Sequence, residues 1–147
     1  MVRMLFVVLV AGAPLLSPPP AMAAEDRAEA ARPEFPEMPA PGKKVPLPDG
    51  RYLVYGFAAK PKLGTAIMKV ELFTGDGQKD TSLEVTADAG MPSMRGAHET
   101  GERAFQRSRK GDYLLPIPIV MPGGWEVRFT VRKDGKVIFR GRYDFDV

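Results

Sequence analysis

From residue 125 onward the chain alternates with a period of two: Trp125, Val127, Phe129 and Val131 are apolar, and Glu126, Arg128, Thr130 and Arg132 stand between them. Only an extended strand sends successive side chains to opposite sides, so this segment reads as a β-strand with one face in a core and one in water. Lys133-Asp134-Gly135-Lys136 follows at once, and Asp-Gly is favoured at the centre of a two-residue hairpin because both positions need positive φ. The chain must then return antiparallel, with Val137, Phe139, Tyr143, Phe145 and Val147 expected to supply the facing apolar row.

The same pattern extends upstream. Period-two segments occur at 51–58, 66–73 and 82–87, with Gly75-Asp76-Gly77 giving turn chemistry between the last two, and a weaker one lies at 103–108. In the first half, Met68 is in phase with Ala66, Val70 and Leu72 and so belongs to the core. Residues 112–121 alternate Tyr113, Leu115, Ile117, Ile119 and Met121 against a row containing Pro116 and Pro118, which marks an edge or bulged strand. Seven short antiparallel strands in about 100 residues, without a long amphipathic helix, predict an all-β, immunoglobulin-like sandwich over residues 49–147.

The N-terminal part follows other rules. Arg3 gives a positive start, residues 5–16 are apolar, and Ala21-Met22-Ala23 has the small-x-small form of a cleavage site. Residues 1–23 therefore read as a signal peptide, the mature chain starting at Ala24 and reaching the periplasm or exterior. The apolar run contains Pro14 and ends at Ser17-Pro18-Pro19-Pro20, well short of the roughly 20 residues of a membrane span. An uncleaved anchor is the alternative. Residues 24–48 carry Pro33, Pro36, Pro39, Pro41, Pro46 and Pro48 among Ala and Glu, and are expected to form a disordered linker that tethers the domain.

The 147 residues include no cysteine, so neither a disulfide nor a lipid-anchor thiol is available and the fold must rest on packing. Lys and Arg exceed Asp and Glu by only 21 to 18 and are interspersed with them, which gives no support to nucleic-acid binding.

Chemistry concentrates in residues 89–102, a long stretch without strand pattern that holds the single histidine, His98, together with Met91 and Met94. If successive strands run antiparallel, this loop leaves the sandwich at the same end as the turn Met121-Pro122-Gly123-Gly124, and Met91, Met94, His98 and Met121 converge. Thioether sulfur is a soft neutral donor suited to Cu(I), and imidazole is a donor that copper also accepts; zinc favours Cys, His or carboxylate. The plainer readings are that Met121 is core, that Met91 and Met94 pack the loop onto the rim, and that His98 is solvated. Glu99 and Glu102 beside His98 lack an accompanying nucleophile, oxyanion hole or phosphate loop, so neither catalysis nor a small-molecule substrate is indicated. The basic turn of Arg107, Arg109 and Lys110 reads as a solvated loop.

Met91-Pro92-Ser93-Met94, His98, Gly111-Asp112-Tyr113 and Met121-Pro122-Gly123-Gly124-Trp125-Glu126-Val127 together resemble the YtkA-like domain, a family of exported β-sandwiches similar in style to FixH-type proteins. The resemblance covers roughly the last 100 residues, one sandwich in size. It implies copper or heavy-metal handling, with this chain departing from Met- and His-rich members in having one histidine. The expectation is a non-enzymatic accessory protein that holds Cu(I) or another soft cation at Met91, Met94, His98 and Met121 and meets a membrane or periplasmic protein partner. The rival expectation is a metal-free interaction or assembly module that uses the same loops as an apolar contact.

Overall fold

Two antiparallel sheets face each other across a single apolar core. The computed structural model describes residues 34–147; the expected signal peptide and the first part of the expected linker lie outside the described residues. The strands are β1 (Val45–Pro46), β2 (Tyr52–Phe57), β3 (Gly64–Phe73), β4 (Glu84–Gly90), β5 (Arg103–Ala104), β6 (Gln106–Arg107), β7 (Tyr113–Ile119), β8 (Gly124–Lys133) and β9 (Lys136–Asp146). One sheet has the order β1-β2-β3-β7-β6 and the other β5-β4-β8-β9. Apart from the two-residue β1, this is the division of an immunoglobulin-like sandwich.

The segment expected as one weak strand at 103–108 divides between the sheets. β5 pairs with β4 and β6 with β7, and the chain crosses at Phe105. Phe105 is buried, and its N–H donates to the Val85 carbonyl at 2.9 Å, so the crossing leaves no amide unpaired. β6 reaches only Tyr113 and Leu114 of β7; Pro116 and Pro118 lie beyond it, on the open edge where a missing N–H costs no ladder bond.

The alternation predicts the core row well. Trp125, Val127, Phe129 and Val131 of β8 are at most 3% exposed, and they meet Leu53, Tyr55, Met68, Val70, Leu115 and Ile117 from the opposite sheet in one cluster. The buried polar tips are paired: Trp125 Nε1–H donates to the Met121 carbonyl at 3.1 Å and Tyr113 O–H to Leu83 at 2.8 Å.

Three expectations are corrected. The first concerns β9, where Val137 is 43% exposed because it pairs with Arg132 on the outer row; the bulge between Val131 and Arg132 then resets the phase, so that Phe139 rather than Ile138 opposes Val131. The second is Glu126, read as facing water but only 3% exposed; the sheet's outer face is covered at this point by Arg95 from the 91–101 loop and by Arg128. Thr130 on the same row is also buried, between Thr86 on β4 and Arg140 on β9.

The third is residues 34–48, expected to be disordered. They pack on the sandwich: Met38, Val45 and Leu47 are buried, and β1 pairs with β2. Prolines remain good acceptors even though they donate nothing. Thus Pro36 C=O accepts the Arg142 N–H at 2.9 Å, Met38 N–H returns a bond to the Arg142 carbonyl at 2.9 Å, and Pro39 C=O accepts the Tyr55 O–H at 2.5 Å. Burial, followed by the neighbouring Tyr143 and Glu37, pushes the Tyr55 phenol above its ordinary pKa.

Anchorage along this strap is uneven. Met38 seats over Gly141, where an added Cβ would stand 2.6 Å from its Cγ and Sδ, so glycine is needed there. Burying such a side chain contributes about 1.5–3 kcal/mol. Glu34, by contrast, holds Arg140 in a surface ion pair at 3.0 Å, worth roughly 0–1 kcal/mol. Phe35 lies 5.4 and 5.6 Å from the Arg128 and Arg140 guanidinium groups, contacts worth roughly 0.5–1 kcal/mol each. The strap is fixed from Pro36 to Met38 and weakly held before it.

Trp125→Ala removes the largest side chain of the β8 core row and should destabilise by about 3–5 kcal/mol, measured by urea unfolding. A midpoint like that of the parent would mean that the indole is not in the core.

Asp80, 6% exposed, gives a pH test. Burial works to raise its pKa, but hydrogen bonds from the Ser82 hydroxyl at 2.6 Å and N–H at 2.9 Å, with the Arg51 charge, hold it below the ordinary value. A carboxyl depressed in the folded state stabilises above its unfolded pKa, near 3.9, and that contribution is lost as pH falls further. The urea midpoint should therefore drop progressively as the pH falls below about 5, and drop less in Asp80→Asn.

Candidate functional site

The 91–101 segment is a closed loop rather than an open excursion. Pro92–Met94 forms one 3₁₀ turn, with Met94 N–H on the Met91 carbonyl at 3.0 Å. Ala97 and His98 N–H then both donate to the Met94 carbonyl, at 3.1 and 3.2 Å, and Met91 N–H closes the loop on the His98 carbonyl at 3.1 Å. Return pairing continues with the Gly90–Glu99 bridge and Thr100 N–H on Ala89 at 2.8 Å. The two limbs approach so closely that a Cβ on Gly90 would lie 2.7 Å from the His98 carbonyl oxygen.

Arg95 clamps this loop to the sheet beneath. Its guanidinium bonds Asp88 Oδ2 at 2.9 Å, lies 3.5 Å from Glu99 and pairs with Glu126 Oε1, which also accepts Arg128 Nε–H at 2.8 Å. Burial disfavours the Arg95 charge, but the hydrogen bond and charge of Glu126, then Asp88 and Glu99, outweigh it and raise its pKa. Sequence reasoning missed this clamp because its ends are separated by 31 residues and no local pattern links them.

The four residues picked from sequence are placed unequally. The expected convergence of the two loops holds at one contact: the Met91 methyl reaches over Gly123, 3.0 Å from where a Cβ would stand. Met91 is itself 5% exposed and forms part of the core cluster. Met121 is half-buried against that cluster, and its carbonyl caps the Trp125 indole. Met94, at 38% exposure, is the thioether turned to solvent. His98 is half-buried and lines a cleft of about 180 Å³ with Thr100, Arg103, Val120 and Trp125. Among the described residues no hydrogen bond or ion pair engages its imidazole, and no group of three or more His, Asp or Glu side chains is placed to hold a metal. Any soft-cation site must therefore draw on thioethers. Met68, assigned to the core, is fully buried there.

No family model and no curated protein matches the chain. Solved structures do share its fold. FetP of uropathogenic Escherichia coli strain F11, as isolated after recombinant expression in the periplasm of E. coli BL21(DE3), aligns with a TM-score of 0.52 and 12% identity over 73% of this chain and 93% of its own. A copper-bound variant of the same FetP aligns with a TM-score of 0.52 and 11% identity over 71% and 93%. At this identity the likeness establishes the β-sandwich; the YtkA-like resemblance has no family match behind it.

Arg95→Gln should free the loop while the sandwich stays folded. Hydrogen exchange should accelerate at the Met91, His98 and Thr100 amides. Unfolding should show a loss of about 1.5–3 kcal/mol, the range for hydrogen bonds to charged groups, with Arg128 retaining part of the Glu126 pairing. Unchanged exchange at those amides would assign the loop's closure to its own backbone bonds.

Proposed function

We propose that this chain is a periplasmic accessory protein, not an enzyme, that holds Cu(I) or a related soft cation through loop Met and His residues for delivery or sequestration. The supporting observation is the rim itself. A backbone-closed loop carries the uncommitted His98 imidazole and the exposed Met94 thioether, and the same loop meets the 121–124 turn through Met91 and Gly123. Met94 and His98 would form the accessible half of the site. Met91 and Met121, buried and half-buried, would complete it from within, and a copper-bound protein with the same fold lends the reading support. Thioether and imidazole are neutral donors, so such a site binds a monovalent soft ion without the charge that selects hard cations. A membrane or periplasmic protein would supply or take up the ion.

One observation favours a second reading, a metal-free interaction module. Leu63 and Val120 are 55% and 61% exposed and adjoin the ends of paired strands, where Gly64 opposes Ile119. Pro61, Leu63, Pro122 and Val147 line a shallow hollow close by. Apolar surface gathered at a loop end is the kind of feature that contacts another protein.

Titration of the protein with Cu(I) against a competing chelator separates the two. Met94→Leu keeps volume and apolar character while deleting the soft donor, so it should leave the unfolding midpoint near that of the parent and weaken Cu(I) binding by about tenfold or more. His98→Ala should weaken binding likewise, and Met68→Leu, deep in the core, should not. Should the parent bind no Cu(I) saturably, or both rim variants bind as it does, the metal reading fails and the apolar rim becomes the functional surface.

A further inference from the structure

The outer face of the β4-β8-β9 sheet carries four arginines, and their carboxylate partners are unequal: Arg128 meets Glu126 and stands opposite Asp88, Arg132 meets Glu102, and Arg142 lies near Glu126 and Asp144, whereas among the described residues Arg140 pairs only with Glu34. Arg128 on β8 stands directly opposite Arg142 on β9, and Arg140 sits opposite Thr130 on the same row. Like charges at opposed positions are destabilising unless something anionic or polarizable lies between them. The buried Glu126 meets Arg128 from within the sheet, at 2.8 Å, and approaches Arg142 at 3.9 Å. Above the sheet the need is met by the chain's own strap: Glu34 pairs with Arg140 at 3.0 Å and the Phe35 ring faces both Arg128 and Arg140.

That strap leaves much of the groove open. Clefts of about 320 and 160 Å³ border Phe35, the larger also lined by Arg132 and Arg140 with Asp88 and Glu102, and the smaller by Arg142 with Glu126, so the cation left for a partner once Glu34 lifts is Arg140. Its hold is also graded: Met38 is locked over Gly141 and Pro36 is bonded to Arg142 through its carbonyl, whereas Glu34 is held by one exposed ion pair and the half-buried Phe35 by contacts with two guanidinium groups. Glu34–Phe35 can therefore lift away while Met38 remains seated.

From these observations we infer that this face is a docking surface for a partner protein's acidic segment bearing an aromatic side chain, and that Glu34–Phe35 occupies it in the free chain as an internal competitor. Guanidinium groups provide planar recognition of carboxylate and a cationic face for an aromatic ring, which together select that chemistry. The site is on the opposite side of the sheet from the core and does not depend on the Cu(I) reading.

The test uses the full chain and the peptide Gly-Glu-Phe-Glu-Gly-amide carrying fluorescein on its N-terminal amine, with binding followed by anisotropy at low salt. A Glu34→Ala, Phe35→Ala double variant, which keeps the Met38 anchor, should bind the peptide about tenfold more tightly than the parent because the competing segment is gone. Arg140→Gln in that background should lose the gain. Arg140 is chosen because Arg128 also pairs with the buried Glu126, and Arg128→Lys, which keeps the charge but not the planar group, serves as the second variant and should weaken binding partially. A peptide with both Glu replaced by Gln should bind poorly. The inference is overturned if the double variant shows no saturable binding, if binding ignores the arginine substitutions, or if the double variant binds phosphatidylglycerol vesicles and not the peptide, which would make the face a membrane contact.

Discussion

The packing of β8 against the opposite sheet carries the rest of this structure. Without cysteine there is no covalent brace, and the strand whose inward row is Trp125, Val127, Phe129 and Val131 pairs with β4 on one side and β9 on the other. Every functional feature hangs from it. The indole of Trp125 is capped by the 121–124 turn and lines the cleft beside His98, while one residue later Glu126 receives the clamp of the 91–101 loop. Both loops of the rim are thus positioned by neighbouring residues of one strand. Their meeting at Met91 and Gly123 follows from the pairing of β4 with β8, which brings Gly90 opposite Glu126.

Much of this was readable before any coordinates, because side-chain alternation is a direct image of a half-buried strand. The core rows of β3, β7 and β8 were assigned residue by residue, and even the proline-bearing edge of β7 followed from Pro116 and Pro118. The failures share a cause: alternation reports which residues are apolar and is silent about what covers a polar one. Glu126 is polar and buried because Arg95, 31 residues away, lies over it. Val137 is apolar and exposed because it pairs with Arg132 on the outer row, before a bulge, which leaves no mark in composition, resets the phase of β9. The proline-interrupted Ala and Glu composition of 34–48 reads as too poor in apolar area to order itself, whereas the segment docks through proline carbonyls and three isolated apolar anchors.

The rim was legible in part. Residue type singles out Met91, Met94, His98 and Met121, and strand direction predicts that their two loops meet, as they do at Met91 and Gly123. Residue type did not divide the methionines into those that pack and the one that faces solvent. A thioether serves equally as core filler and as ligand, so only burial separates Met91 at 5% exposure from Met94 at 38%. A cation at this rim would have Met94 and His98 as its point of entry. The buried Met91 gives such a site a fixed inner wall instead of a second mobile arm, so exchange with a partner would be governed by the outer pair.

The two faces of β8 also constrain each other. In a strand with one apolar and one polar row, a slip of one residue would exchange the rows and bring Glu126 and Arg128 into the core. Here the polar row adds its own specification, since Glu126 must lie under Arg95 and between Arg128 and Arg142 for its charge to be met. Register is therefore fixed twice, once by the core and once by the ion network. The bulge is tolerated only at Val131/Arg132, next to the Asp134-Gly135 hairpin, where the outer row has already passed the network. Had it fallen nearer the 121–124 turn, Arg142 would no longer stand opposite Arg128, the Gly141 seat of Met38 would move off the sheet's edge contact, and the strap that faces the arginine row would have no anchor.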